Sequence, residues 1–132
     1  MKHFTIIELS RSATAAQQGI DNTPNVEQQA NLRCLVENLL DPIRERWGRA
    51  ITVASGFRTP QVNSLVGGSA TSDHQTGRAA DISAGSPQLN RQLFEMIKTS
   101  GLQFDQMYGV SNFASVHVSF RKTGNRNQII TV

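Results

Sequence analysis

Ser72-Asp73-His74-Gln75-Thr76-Gly77-Arg78-Ala79-Ala80-Asp81-Ile82 sets a histidine seven positions before an aspartate, with Gly77 between them. Glycine is the residue that lets a chain turn sharply enough to bring two such side chains together. Ala79 to Ser83 then reads as a short strand, which would carry Asp81. Upstream, Ile51, Val53 and Ser55 alternate with Thr52 and Ala54, the period of another strand. The segment from Gly56 to Gly68 reads as a loop with a short helix that has Pro60 near its start, and Gly67-Gly68-Ser69 breaks it.

Farther upstream the period becomes helical. Val26, Ala30, Leu32, Leu35, Val36, Leu39, Leu40, Ile43 and Trp47 fall mostly on one broad face between Asn25 and Trp47. Asp21-Asn22-Thr23-Pro24 gives the start signal, Gly48 is a candidate C-cap, and Pro42 should kink or divide the helix. The first two dozen residues are polar, with Phe4, Ile6, Ile7 and Leu9 available to cover a core edge. Downstream, Leu89, Leu93, Met96 and Ile97 predict a helix over Pro87 to Ser100. Phe104 to Tyr108, Val116 to Phe120 and Gln128 to Val132 are strand candidates. The order is α, β, α, β, α, β, β, β. It predicts an α+β fold, a small and mostly antiparallel sheet flanked by helices.

The chain has 132 residues, a length that fits one domain over residues 1–132. A chain of that size buries enough surface to fold without disulfides or metal. The single cysteine, Cys34, cannot form an internal disulfide and sits in an apolar rhythm, where it reads as a small buried hydrophobe. Thirteen basic residues against ten acidic ones give a net charge of +3, which favours anionic partners without choosing among them. Aromatic residues make up 6%, and no stacking platform or groove-reading helix is evident, which argues against a nucleic-acid binder. No run approaches the roughly 20 apolar residues of a membrane span, and the N-terminus does not read as a signal peptide.

Of three histidines, His3, His74 and His117, the last lies on the predicted strand Ser115–Phe120. There it shares a face with Ser115 and Ser119, opposite Val116, Val118 and Phe120. Two imidazoles and one carboxylate, with an open position for water, are what a catalytic zinc site requires. Spacing alone leaves a second reading open: a loop histidine, a capping aspartate and a strand histidine bonded to backbone.

The segment from Ser55 to Ile82 resembles the signature of the zinc D-Ala-D-Ala carboxypeptidases and related peptidoglycan endopeptidases, which have the hedgehog/DD-peptidase fold. The pattern S-x-H-x-x-G-x-A-x-D is met at Ser72, His74, Gly77, Ala79 and Asp81. S-G-[FY]-R is met at Ser55, Gly56, Phe57 and Arg58, and H-V-S at His117, Val118 and Ser119. Ile20-Asp21-Asn22-Thr23-Pro24 and Asn125-Arg126-Asn127-Gln128 look like the short phage and bacterial members. The resemblance implies Zn²⁺ held by His74, Asp81 and His117. It places Arg58 in the cleft, binding a substrate carboxylate or steadying an oxyanion, and Ser72 beside it, binding substrate or serving the loop.

One departure stands out. The related enzymes place a Glu or Asp as general base a few residues before the last histidine, often three, where this chain has Ala114. Between Tyr108 and His117 there is no carboxylate. Asp105, on the neighbouring predicted strand, is the first candidate base, although it also suits a structural task such as holding an arginine. Asp73 is the second. The expected function is therefore a zinc metallopeptidase cutting peptide bonds in peptidoglycan stem peptides. The alternative is a catalytically impaired zinc-binding member of the same fold that binds cell-wall peptides or a protein partner. The expected form is a monomer with no nucleic-acid partner. The expected location is cytoplasmic until release, or phage-encoded, with action at the bacterial wall.

Overall fold

The computed structural model describes residues 1–131. Five strands form one sheet in the order β1-β2-β4-β3-β5, with β1 Thr52–Ser55, β2 Ala79–Ser83, β3 Gln106–Val110, β4 Ser115–Ser119 and β5 Gln128–Ile129. The helices are α1 Ile6–Ser10, α2 Ala13–Gln18, α3 Val26–Leu35, α4 Asp41–Trp47, α5 Pro60–Leu65 and α6 Pro87–Thr99. The α+β architecture expected from the sequence is the one observed.

α1 and α2 lie in the region read as merely polar. Thr5 caps α1 by accepting from Glu8 N–H, and Ser12 caps α2 by accepting from Ala15 N–H. Phe4 and Leu9 are buried as expected, but Ile7 points to solvent. The turn before α3 also differs from expectation. Asp21 accepts from the Thr23 amide, and the helix is capped by Asn25, whose side chain and that of Gln28 satisfy each other's backbone N–H groups. Leu32, Leu35, Val36, Leu39, Leu40 and Ile43 are fully buried, whereas Val26 is exposed and Cys34 is half-buried rather than buried.

The long helix is divided where Pro42 predicted trouble. Val36–Leu40 forms a wide π turn in which Asp41 N–H donates to the Val36 carbonyl, five residues back. Proline has no N–H, and its ring crowds the carbonyl four residues earlier, so a wider turn just before it relieves both problems. Gly48 closes α4 in the left-handed region.

β1, β2, β4 and β3 pair antiparallel in turn, but β5 pairs parallel with β3, contrary to the antiparallel expectation for the terminal strands. The four antiparallel strands leave two edges, β1 and β3, and the returning chain takes that of β3. β3 itself starts two residues later than expected. Val132, the end of the expected last strand, lies outside the described residues.

Alternation along the strands gives the sheet two different faces. Ala80, Ile82, Met107, Val116 and Val118 join the apolar core with Leu93 and Ile97 of α6 and the buried leucines of α3 and the π turn. Asp81, Tyr108 and His117 belong to the opposite face.

The hairpin between β3 and β4 is strained. Ser111, Asn112 and Phe113 all have positive φ, at 47°, 57° and 65°. Such backbone costs about 1–2 kcal/mol per residue for a side chain larger than hydrogen. The buried Asn90 offsets this by donating to the Phe113 and Ala114 carbonyls. The Phe113 ring also meets Phe94 edge-on at 5.5 Å and lies beneath the Arg91 guanidinium.

Candidate metal centre and cleft

His74 rides on a single 3-10 turn, Asp73–Thr76. Ser72 opens the turn by accepting from the His74 amide at 3.2 Å, and Gly77 closes it with φ of 79°. A Cβ at Gly77 would also lie 2.5 Å from the Gln28 carbonyl, so both conformation and space require glycine there. α3 fastens the turn from behind. Gln28 Nε2 donates to the Gln75 carbonyl, and Asn31 Nδ2 donates to that of Thr76 at 2.9 Å.

The other two members need no loop. Asp81 on β2 and His117 on β4 are direct partners across the antiparallel ladder. Asp81 Oδ1 lies 2.9 Å from His117 Nδ1 and 3.3 Å from His74 Nε2. One ligand atom from each residue falls within 4.8 Å of the other two, and all three residues are buried. Tetrahedral ligands about 2.0–2.1 Å from a metal stand about 3.3 Å apart, so the cluster has the spacing of a metal site.

Proton inventory supports the same reading. His74 Nδ1 lies 2.7 Å from the Gly56 carbonyl, which can only accept. Nδ1 therefore carries the proton, and Nε2 presents a lone pair to the cluster. Asp81 Oδ2 faces Arg58 Nη2 at 3.6 Å, leaving Oδ1 between the imidazoles. Burial works to raise the Asp81 pKa, but the His117 and His74 rings against its oxygens outweigh it and hold the carboxyl well below the usual range. Two imidazole nitrogens and one carboxylate oxygen fit a divalent metal such as zinc.

These groups open onto a cleft of about 420 Å³. Arg58 lines it and is held on several sides: its Nε donates to Ser55 Oγ at 3.0 Å and its Nη1 to Asn63 Oδ1 at 3.1 Å. Ser72 lines it as well, with its hydroxyl engaged in the turn. Tyr108, a residue that sequence reasoning missed, stacks on the His117 ring at 4.4 Å with an 11° interplanar angle and lines the same cleft. Among the described residues its hydroxyl has no protein partner. Burial, followed by the Asp81 charge, raises the Tyr108 pKa, so the phenol keeps its proton. The signal for Tyr108 was hairpin register, because it is the cross-strand partner of His117.

A family model described as peptidase M15 matches residues 2–119. The chain belongs to the peptidase M15 family. No curated protein matches it. M15 peptidases are metal-dependent, and the His74–Asp81–His117 cluster is a site in this chain that can hold the ion.

The two candidate bases fall in different places. Asp105 does not line the cleft. It is fully buried and receives Arg126 Nε and Nη2, both at 2.9 Å, and Arg121 Nε at 3.1 Å. Hydrogen bonds from Arg126, and then from Arg121, overcome the effect of burial and lower its pKa to about 2. Asp105 is not in reach of the cluster as a base; it has the other task read for it, holding arginines. Asp73 does line the cleft, with Oδ1 3.0 Å from Arg121 Nη2. Ala114 and Asn112 are exposed outside the lining. Both arginines lie beyond the segment matched by the family model. Among the described residues, no helix is long and apolar enough to cross a membrane.

Proposed function

We propose that this M15 chain is a zinc peptidase acting on peptidoglycan stem peptides, as a carboxypeptidase or an endopeptidase. The observation that carries the reading is the convergence of His74 Nε2, Asp81 Oδ1 and His117 Nδ1 in an open cleft of a chain belonging to a peptidase family. A zinc ion with one open position, when bound, polarises a carbonyl and makes hydroxide available near neutral pH.

The remaining work falls to side chains of the cleft. Arg58 holds Asp81 in one orientation through Oδ2 and offers its unused N–H groups to a substrate carboxylate. Tyr108 donates its O–H to the carbonyl oxygen of the scissile bond as charge develops there. Asp73 is the carboxylate besides Asp81 that lines the cleft, and it takes the role of proton acceptor. Asp105 is assigned a structural role, fixing Arg121 and Arg126. Alanine at position 114 favours one second reading, a zinc-binding member of the fold that holds wall peptides without cutting them.

The test is metal analysis of untagged protein followed by mass spectrometry of purified muropeptides after incubation. One zinc per chain with release of D-Ala or cleavage within the stem is the expected result. One zinc with intact peptides transfers the assignment to the binding reading. Absence of zinc after reconstitution removes both.

A further inference from the structure

The metal cleft does not end at Arg58. A second cleft of about 380 Å³ shares Arg58 and Val66 with it, so the two adjoin. Val53, Ala54 and Ser55 of β1 line this second cleft, along with Arg11 and Ser12 between α1 and α2 and Thr14 of α2. β1 is an edge strand whose one ladder partner is β2. Its outer edge therefore presents backbone donors and acceptors with no strand partner among the described residues, the feature by which extended peptides dock through strand addition.

Charge gives the cleft its preference. Its lining holds two arginines, Arg11 and Arg58, and no carboxylate. Arg58 is held by Ser55, Asn63 and Asp81, and its remaining N–H groups serve the first cleft. Arg11 is exposed and, among the described residues, forms no ion pair. A guanidinium of this kind is matched by a carboxylate.

We propose that the second cleft is a subsite for the remote, carboxylate-bearing part of an extended peptide, whose backbone follows the β1 edge while its carboxylate pairs with Arg11. This rests on the peptide-substrate reading and adds where the non-reacting part of the chain lies.

Two probes decide it: a stem pentapeptide with a free α-carboxylate on its D-Glu residue, and the same peptide with that group amidated. Affinities for the zinc-loaded protein are measured by titration calorimetry with wild type and Arg11→Ala, after thermal melts show equal stability. Wild type should prefer the carboxylate form roughly 2–5-fold, the range of an exposed ion pair, and Arg11→Ala should erase the preference. Equal binding of the two forms by wild type, a preference surviving in Arg11→Ala, or no binding of either form overturns the subsite. Cleavage is read separately. A protein that prefers the acid form through Arg11 without cutting keeps the subsite and loses the peptidase assignment. One that cuts both forms equally before and after substitution keeps the peptidase and loses the subsite.

Discussion

The Nδ1–H of His74 is donated to the carbonyl of Gly56 at 2.7 Å, and Gly56 itself lies against the backbone carbonyl of Leu9. The residue that orients the His74 imidazole is thus wedged against α1, in a place where a methyl group would collide with main chain. Gly56→Ala should push the carbonyl away from His74, cost about 1–3 kcal/mol through overpacking and weaken zinc binding about 10–100-fold. Competition against a chromophoric chelator reads the affinity. Wild-type affinity in a folded Gly56→Ala protein would show that His74 finds its orientation without this bond.

Tyr108→Phe removes one oxygen from a ring whose stacking on His117 it leaves intact. If the phenol donates to the developing oxyanion, kcat on a muropeptide should fall about 10–100-fold, with KM and zinc content close to wild type. An unchanged kcat would assign Tyr108 to packing alone.

Acid stability should report Asp105. Its pKa is held near 2 in the folded protein, against 3.8 for the free side chain, by Arg126 and then Arg121. A depressed folded pKa stabilises the fold fully above the unfolded value, and that stabilisation is lost as pH falls through the folded one. Asp105→Asn should therefore be less stable than wild type at pH 7, by about 1–3 kcal/mol. The figure lies below that for a fully buried pair because the arginines reach solvent. The gap should close between about pH 4 and pH 2. Urea melts across that range check it, and a gap independent of pH would mean that the carboxylate charge is not what stabilises the fold.

Asn90 is fully buried. Its Oδ1 accepts from Ala84 N–H at 2.6 Å, while its Nδ2 donates to the carbonyls that hold the left-handed hairpin. Asn90→Ala leaves those groups unpaired and should cost about 2–4 kcal/mol, since each abandoned buried group costs about 1–3. Hydrogen exchange should show the Ser111–Ala114 turn opening first. Uniform loss of protection across the sheet would contradict this local role.

The parts legible in sequence were those written in local pattern. β2 was placed at Ala79–Ser83 and α6 within one residue of its end, because period and caps agree there. The convergence of His74 and Asp81 was legible because the motif supplies the turn, Gly77, together with both side chains. Long-range pairing was not legible. Nothing near Tyr108 announces that it faces His117, since hairpin register is fixed by a turn of three left-handed residues that carry ordinary side chains. The choice between the two readings of Asp105 was not legible for the same reason: its arginine partners lie 16 and 21 positions away. α1 and α2 were overlooked because helices of five and six residues show too little period, although Thr5 with Glu8 is a capping signal.

The π turn at Val36–Leu40 works as a phase shifter. Each residue of a regular helix advances the azimuth by about 100°, so a surplus residue in one turn rotates everything beyond it. Before it, Gln28 and Asn31 reach the carbonyls behind His74; after it, Asp41 reaches the amides of Lys2 and His3. A rod of constant pitch could aim at one of these clients and would miss the other. Deleting a single residue from this turn would give a smoother helix that has lost its aim.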